Sequence, residues 1–180
     1  MKLKHTDMNI GLKEGTVSLQ KYNPQWKVLF EEEKQNLEVL LSADFKTIRI
    51  EHIGSTSIPH IKSKPIIDIL VVIDKETNID NLTAKLENAL YQKCSFQPRQ
   101  GEVLFKRGND AISTHYIHIV LENYDWERYI LFRDYLLTKP NIAHEYEKLK
   151  LKLARQFRDD RTQYTASKKE YVENILNKLL

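Results

Sequence analysis

Asp68 stands in the middle of "PIIDILVVI", residues 65–73, a run otherwise built of apolar residues. Taking a carboxylate out of water is costly unless a cation or hydrogen-bond donors receive it, so an acid here predicts a partner. Side chains along a strand alternate faces. Ile66, Asp68, Leu70 and Val72 therefore share one face, and Ile67, Ile69, Val71 and Ile73 the other. A carboxylate placed so can ligate Mg²⁺ or Mn²⁺, which in turn holds the phosphates of a nucleotide, because hard cations take oxygen ligands. It can equally be salt-bridged to an arginine or cap a neighbouring helix.

Just upstream, "GSTS" supplies Gly54, Ser55 and Thr56. A glycine lets the backbone come close to a ligand, and hydroxyls with backbone N–H groups suit phosphate oxygens. The same residues also suit a helix N-cap after a tight turn. Glu51 on "TIRIEHI" and His118 on "HYIHIVLE" are the other polar residues on strand-like runs. If those strands lie beside the Asp68 strand, the three converge, with Glu51 and Asp68 as metal ligands and Glu51 or His118 as a general base. A triphosphate also needs cations. Lys64 precedes the Asp68 strand, Arg107 ends "EVLFKR" beside a surface Lys106, and His115 opens the following strand. The C-terminal third adds Arg133, Lys150 and Lys168, mixed with Tyr135, Tyr146, Arg161 and Tyr164, of which Tyr135 and Tyr146 read as packing residues.

Periodicity places these residues on elements. "VSLQKY" reads as a short strand, and Asn23 and Pro24 cap and open a helix whose Trp26, Phe30, Leu37 and Leu41 form a buried stripe. "TIRIEHI" alternates like a half-buried strand and "PIIDILVVI" reads as a central one. Ile79, Leu82, Leu86 and Leu90 mark a second helix, after which "CSFQ", "EVLFKR" and "HYIHIVLE" are strands. From Asn123 the pattern is helical in three pieces, the last being "SKKEYVENILNKLL" after a polar "RDDRTQYTA". The expected architecture is α/β (α+β), a mixed sheet flanked by helices. Residues 1–16 form a flexible extension and 17–180 one domain, with a sheet core over 17–122 and a helical part over 123–180.

The 180-residue chain carries 28 basic and 25 acidic residues, a net charge of +3, too small a bias for a nucleic-acid footprint. Its single cysteine, Cys94, forbids an internal disulfide and a zinc ribbon and fits a reducing cytoplasm. The first residues lack the apolar core of a signal peptide, and no run approaches the roughly 20 apolar residues of a membrane span.

"EHIGSTSIPHIKSKPIIDILVVI", "THYIHIV", "LFRDYLLTKPNIAHEYEKLK" and "DDRTQYTASKKEYV", in this order, resemble the GrpB family over nearly all of the chain after about Val17. The resemblance implies a nucleotidyltransferase-like fold of the superfamily that includes DNA polymerase β. It also implies relatives fused to dephospho-CoA kinase in some bacteria. Active members of that superfamily carry a Gly-Ser turn, then two acids one residue apart on a strand, and a third acid on a nearby strand. Gly54 and Ser55 match the turn and Asp68 the first acid, whereas Leu70 stands at the second and His118 about where the third is sought. The implied function is metal-dependent transfer of a nucleotidyl group from a nucleoside triphosphate to a small-molecule acceptor. The alternative is an inactive module that binds a nucleotide or a coenzyme A-related ligand.

Overall fold

The computed structural model describes residues 10–96 and 99–180. Five helices flank a six-stranded mixed sheet, in the order β1 (Leu12–Lys13), α1 (Gln25–Leu41), β2 (Thr47–Ile53), β3 (Ile67–Ile73), α2 (Ile79–Asn88), β4 (Gln92–Lys93), β5 (Glu102–Gly108), β6 (Ile112–Leu121), α3 (Glu127–Thr138), α4 (Pro140–Gln156) and α5 (Arg161–Leu176). The sheet runs β2-β3-β6-β5-β4, with β1 on β6. β3 and β6 are parallel, and the other pairs are antiparallel. Among the described residues no helix is long and apolar enough to cross a membrane.

The alternation of β3 sorts the two faces. Ile67, Ile69, Val71 and Ile73 pack with Ile117, Ile119 and Phe105 beneath α1 and α2, and all seven are almost wholly buried. Each such side chain contributes about 2 kcal/mol of burial. The opposite face carries Ile53, Leu70, Val72 and Val120, covered by Trp126, Tyr129 and Ile130 at the start of α3. The helical layer continues through Leu136, Ala143 and Tyr146 onto Ile58 and Ile61 of the β2–β3 connection. The acid-bearing face of β3 is thus the one that the C-terminal helices approach.

Four stretches differ from expectation. Residues 10–16 dock on the domain: Leu12 and Lys13 pair with β6, and Ile10 and Leu12 are buried, because an apolar residue beside an open edge of β6 completes both the ladder and the core. Residues 1–9 of the expected extension lie outside the described residues. "VSLQKY" makes one bridge, Gln20 to Ser63, and "CSFQ" is replaced by β4 at Gln92–Lys93, with Gln97 outside the described residues. The polar "RDDRTQYTA" holds the start of α5: the Asp160 carboxylate accepts the Gln163 amide at 2.9 Å, an N-cap that tucks Tyr164 into the interior.

Candidate functional site

Gly54 ends β2 at φ +68°, ψ −174°, a conformation open in practice only to glycine. A Cβ there would lie 2.3 Å from Asp68 Oδ2, so the turn and the carboxylate are in direct contact. The turn residues Ser55–Ser57 form one turn of 3₁₀ helix. Ser57 donates to the Gly54 carbonyl at 2.6 Å and Ser63 to that of Ser55 at 2.8 Å. Thr56 donates inward to the Ile66 carbonyl at 3.2 Å and meets His52 Nε2 at 3.1 Å, so its hydroxyl braces the turn and is not available to a phosphate. His52, which no sequence signal set apart, is buried and stacked on Phe30, and burial pushes its pKa down to about 4. The Ser55 hydroxyl lies within reach of the buried Tyr146.

Asp68 keeps 29 % of its side chain exposed, whereas Ile66, just before β3, and Leu70 on it, each two residues away, are 1 % and 0 % exposed. Among the described residues no guanidinium pairs with it. Its near partner is His118 Nε2, 3.8 Å from Oδ1. The other ring nitrogen, Nδ1, lies 2.6 Å from Glu102 Oε1, and Tyr129 donates to Glu102 Oε2 at 2.7 Å. Burial works against the His118 cation, but the nearby Asp68 carboxylate and the hydrogen-bonded Glu102 carboxylate outweigh that and raise its pKa to about 9. Glu102 itself is 1 % exposed. It opens a strand like any rim acid in "QGEVLFKR", and only the pairing of Leu104 with His118 reveals that it faces the imidazole.

Glu51 takes a different partner. Its Oε2 lies 2.8 Å from Arg133 Nη1, which also donates to the His52 carbonyl at 3.0 Å. Glu51 is opposite Leu70, and Leu70 opposite His118, so the leucine separates the two polar residues by two strand spacings, about 10 Å between backbones. Among the described residues no group of three or more His, Cys, Asp or Glu could hold a metal ion. The two-ion site that the resemblance implies does not fit: β3 supplies one carboxylate, Glu51 is committed to Arg133, and a cationic ring stands where a third acid is sought.

The cations gather more closely than the acids. Lys64 Nζ lies 5.6 Å and Lys168 Nζ 4.5 Å from the centre of the buried Tyr164 ring. Lys150, 1 % exposed, lies 5.0 Å from the Tyr146 ring and donates to the Lys62 carbonyl at 2.7 Å. Among the described residues none of the three has a carboxylate within ion-pair distance. Burial lowers the Lys64 pKa to about 8, partly offset by Asp68, and that of Lys150 to about 7, partly offset by Glu147. Lys168 is pushed well below its ordinary value by burial and by the other two ammonium groups. Between these values and the ordinary lysine pKa the unfolded chain binds more protons than the folded one, so stability should rise with pH from about 7 to about 10. Thermal melts across that range should show the rise, and Lys150→Met should flatten it.

The remaining expected residues lie elsewhere. Arg107 is paired with His115 across β5 and β6, on the face opposite Asp68. It forms an ion pair with the buried Glu33 of α1 and covers Tyr91, which itself donates to Glu33 at 2.7 Å. His115 is buried on the same face with Nδ1 3.0 Å from the Thr114 hydroxyl. Neither joins the Asp68 cluster, because each sits one residue out of step with Asp68's partner, Tyr116. Arg161 instead bonds the Tyr116 hydroxyl at 2.9 Å, and Lys106 pairs with Glu14 at 3.0 Å.

The chain matches the family model described as GrpB protein over residues 16–178. The glutamate-rich protein GrpB of Alkalihalophilus pseudofirmus is 36% identical over 175 residues, spanning 94% of this chain and 99% of that protein. YqkA of Bacillus subtilis is 38% identical over 162 residues, spanning 84% of this chain but 44% of that protein's length. The crystal structure of the conserved protein GrpB from Enterococcus faecalis superposes with a TM-score of 0.79 at 32% identity, covering 89% of this chain and 96% of that one.

Proposed function

We propose that this chain, which belongs to the GrpB family, binds a nucleoside triphosphate through its phosphates, between the Gly54–Ser57 turn and the lysines brought by α4 and α5. The observation that carries the reading is the convergence of Lys64 and Lys168 on the Tyr164 ring near Asp68, with Lys150 over the Tyr146 ring, and no carboxylate in ion-pair distance of any of the three among the described residues. Three ammonium groups drawn out of water and unmatched by acids repel one another, and the arrangement is relieved when a polyanion joins them. Lys64 and Lys168 contact the phosphates, Ser55 offers its hydroxyl, and Tyr146 and Tyr164 hold the ammonium groups in place.

Nucleotidyl transfer to a small acceptor is the second reading, favoured by the partly open Asp68 carboxylate at the mouth of the turn. Leu70 and the Glu51–Arg133 pair favour binding without turnover, of a nucleotide or of a coenzyme A-related ligand. Calorimetry with a non-hydrolysable nucleoside triphosphate and with coenzyme A tests the first reading: saturable binding is expected for the nucleotide, and no heat with either ligand contradicts it. Pyrophosphate release from nucleoside triphosphates with Mg²⁺ or Mn²⁺ and a metabolite extract, lost in Asp68→Asn, would establish transfer.

A further inference from the structure

The residue beside Asp68, about where the resemblance seeks a third acid, is a histidine whose other side is locked into the protein. We propose that His118, held by Glu102 and Tyr129, stands in for a divalent ion at Asp68, so that the site takes a triphosphate without metal and Glu102 is a positioning residue for that binding. The inference rests on the nucleotide reading above and adds to it what offsets the Asp68 charge when no metal is bound.

Three observations carry it. First, each ring nitrogen of His118 faces a carboxylate, Nδ1 to Glu102 at 2.6 Å and Nε2 to Asp68 at 3.8 Å. With one carboxylate hydrogen-bonded at Nδ1 and a second within ion-pair distance of Nε2, the pair of anions favours the ring protonated at both nitrogens. Second, Glu102 is 1 % exposed and has both oxygens engaged, one by His118 and one by Tyr129, whose ring also lies 5.5 Å from the imidazole. An acid sealed so deeply is costly unless it holds a cation, and among the described residues the imidazole is the cation it holds. Third, Glu51, which shares this face of the sheet with Asp68 and Glu102, is taken by Arg133, so it adds no ligand to Asp68.

Calorimetry of the full chain with ATP, in EDTA and in excess Mg²⁺, tests this. The wild-type affinity is expected to agree within about threefold in the two buffers. Glu102→Gln and His118→Gln are each expected to weaken binding in EDTA by about tenfold or more, the weight of one charge-assisted hydrogen bond. Tyr129→Phe removes a single hydrogen bond from Glu102 and should weaken binding in the same direction by less. It decides the matter if Glu102→Gln does not fold, as judged by its melting curve. Binding seen only with Mg²⁺ overturns the inference and leaves the nucleotide reading standing. Metal-free binding that all three variants retain overturns the role of Glu102. Absence of binding in both buffers defeats the nucleotide reading and the inference together.

Discussion

Gly54→Ala is expected to lower the folding free energy by about 3 kcal/mol and to remove nucleotide binding. Two costs add. The backbone at φ +68°, ψ −174° lies where an L-residue is strained, at about 1–3 kcal/mol. The new Cβ would also meet Asp68 Oδ2 at 2.3 Å and Asp68 Cβ at 2.9 Å, and the second of these cannot swing away as a flexible chain end could. The turn must then separate from β3, carrying Ser55 away from Lys64 and Lys168. Urea denaturation and calorimetry check both parts. Adding Asp68→Ala should recover part of the stability, since it removes the carboxylate from the clash while leaving the backbone strain, so the double-mutant cycle should be non-additive. A Gly54→Ala protein as stable as the wild type would show that turn and carboxylate are not in contact.

Replacing Lys64 and Lys168 together with methionine should weaken nucleotide binding by about a hundredfold, two charge-assisted contacts at about 1.5 kcal/mol each. The same change should leave the melting temperature unchanged or raise it. Both amines pack beside the Tyr164 ring, both have pKa values lowered by burial, and neither has a carboxylate in ion-pair distance among the described residues. A methionine keeps most of the apolar stem and removes the repulsion. Stability gained with affinity lost is the signature of residues kept for binding. A double variant that melts earlier and binds as before would assign these lysines to the fold.

Much of this was legible because β-strand alternation is a strong signal. "TIRIEHI" is β2 residue for residue, and the one polar break in β3 does point toward the C-terminal helices. The helical part is also legible from its periodicity, and Lys150 and Lys168 stand within its apolar and aromatic patterns. What failed depended on register. Arg107 and Lys106 look interchangeable in "EVLFKR", yet one residue of offset sends Arg107 to the α1 face and Lys106 to the Asp68 face. Glu102 gives no local signal for the same reason: its partner is sixteen residues away and adjacent only once β5 folds back on β6. Glu51 does share the Asp68 face of the sheet, but the guanidinium that takes it comes from α3, eighty-two residues later, and no local pattern predicts that pairing. In sequence the turn offers Thr56 as a hydroxyl for a ligand, whereas the inward bond to Ile66 is what holds the turn closed.

The central claim is that the phosphates of a nucleotide lie between the Gly54–Ser57 turn and the lysine cluster. A crystal structure with a non-hydrolysable nucleoside triphosphate tests it most directly. Phosphate oxygens within hydrogen-bonding distance of Lys64 and Lys168 Nζ, with Ser55 alongside, are the result expected. A nucleotide seated on another face, with both ammonium groups still resting on the Tyr164 ring and no phosphate near Asp68, would contradict the account.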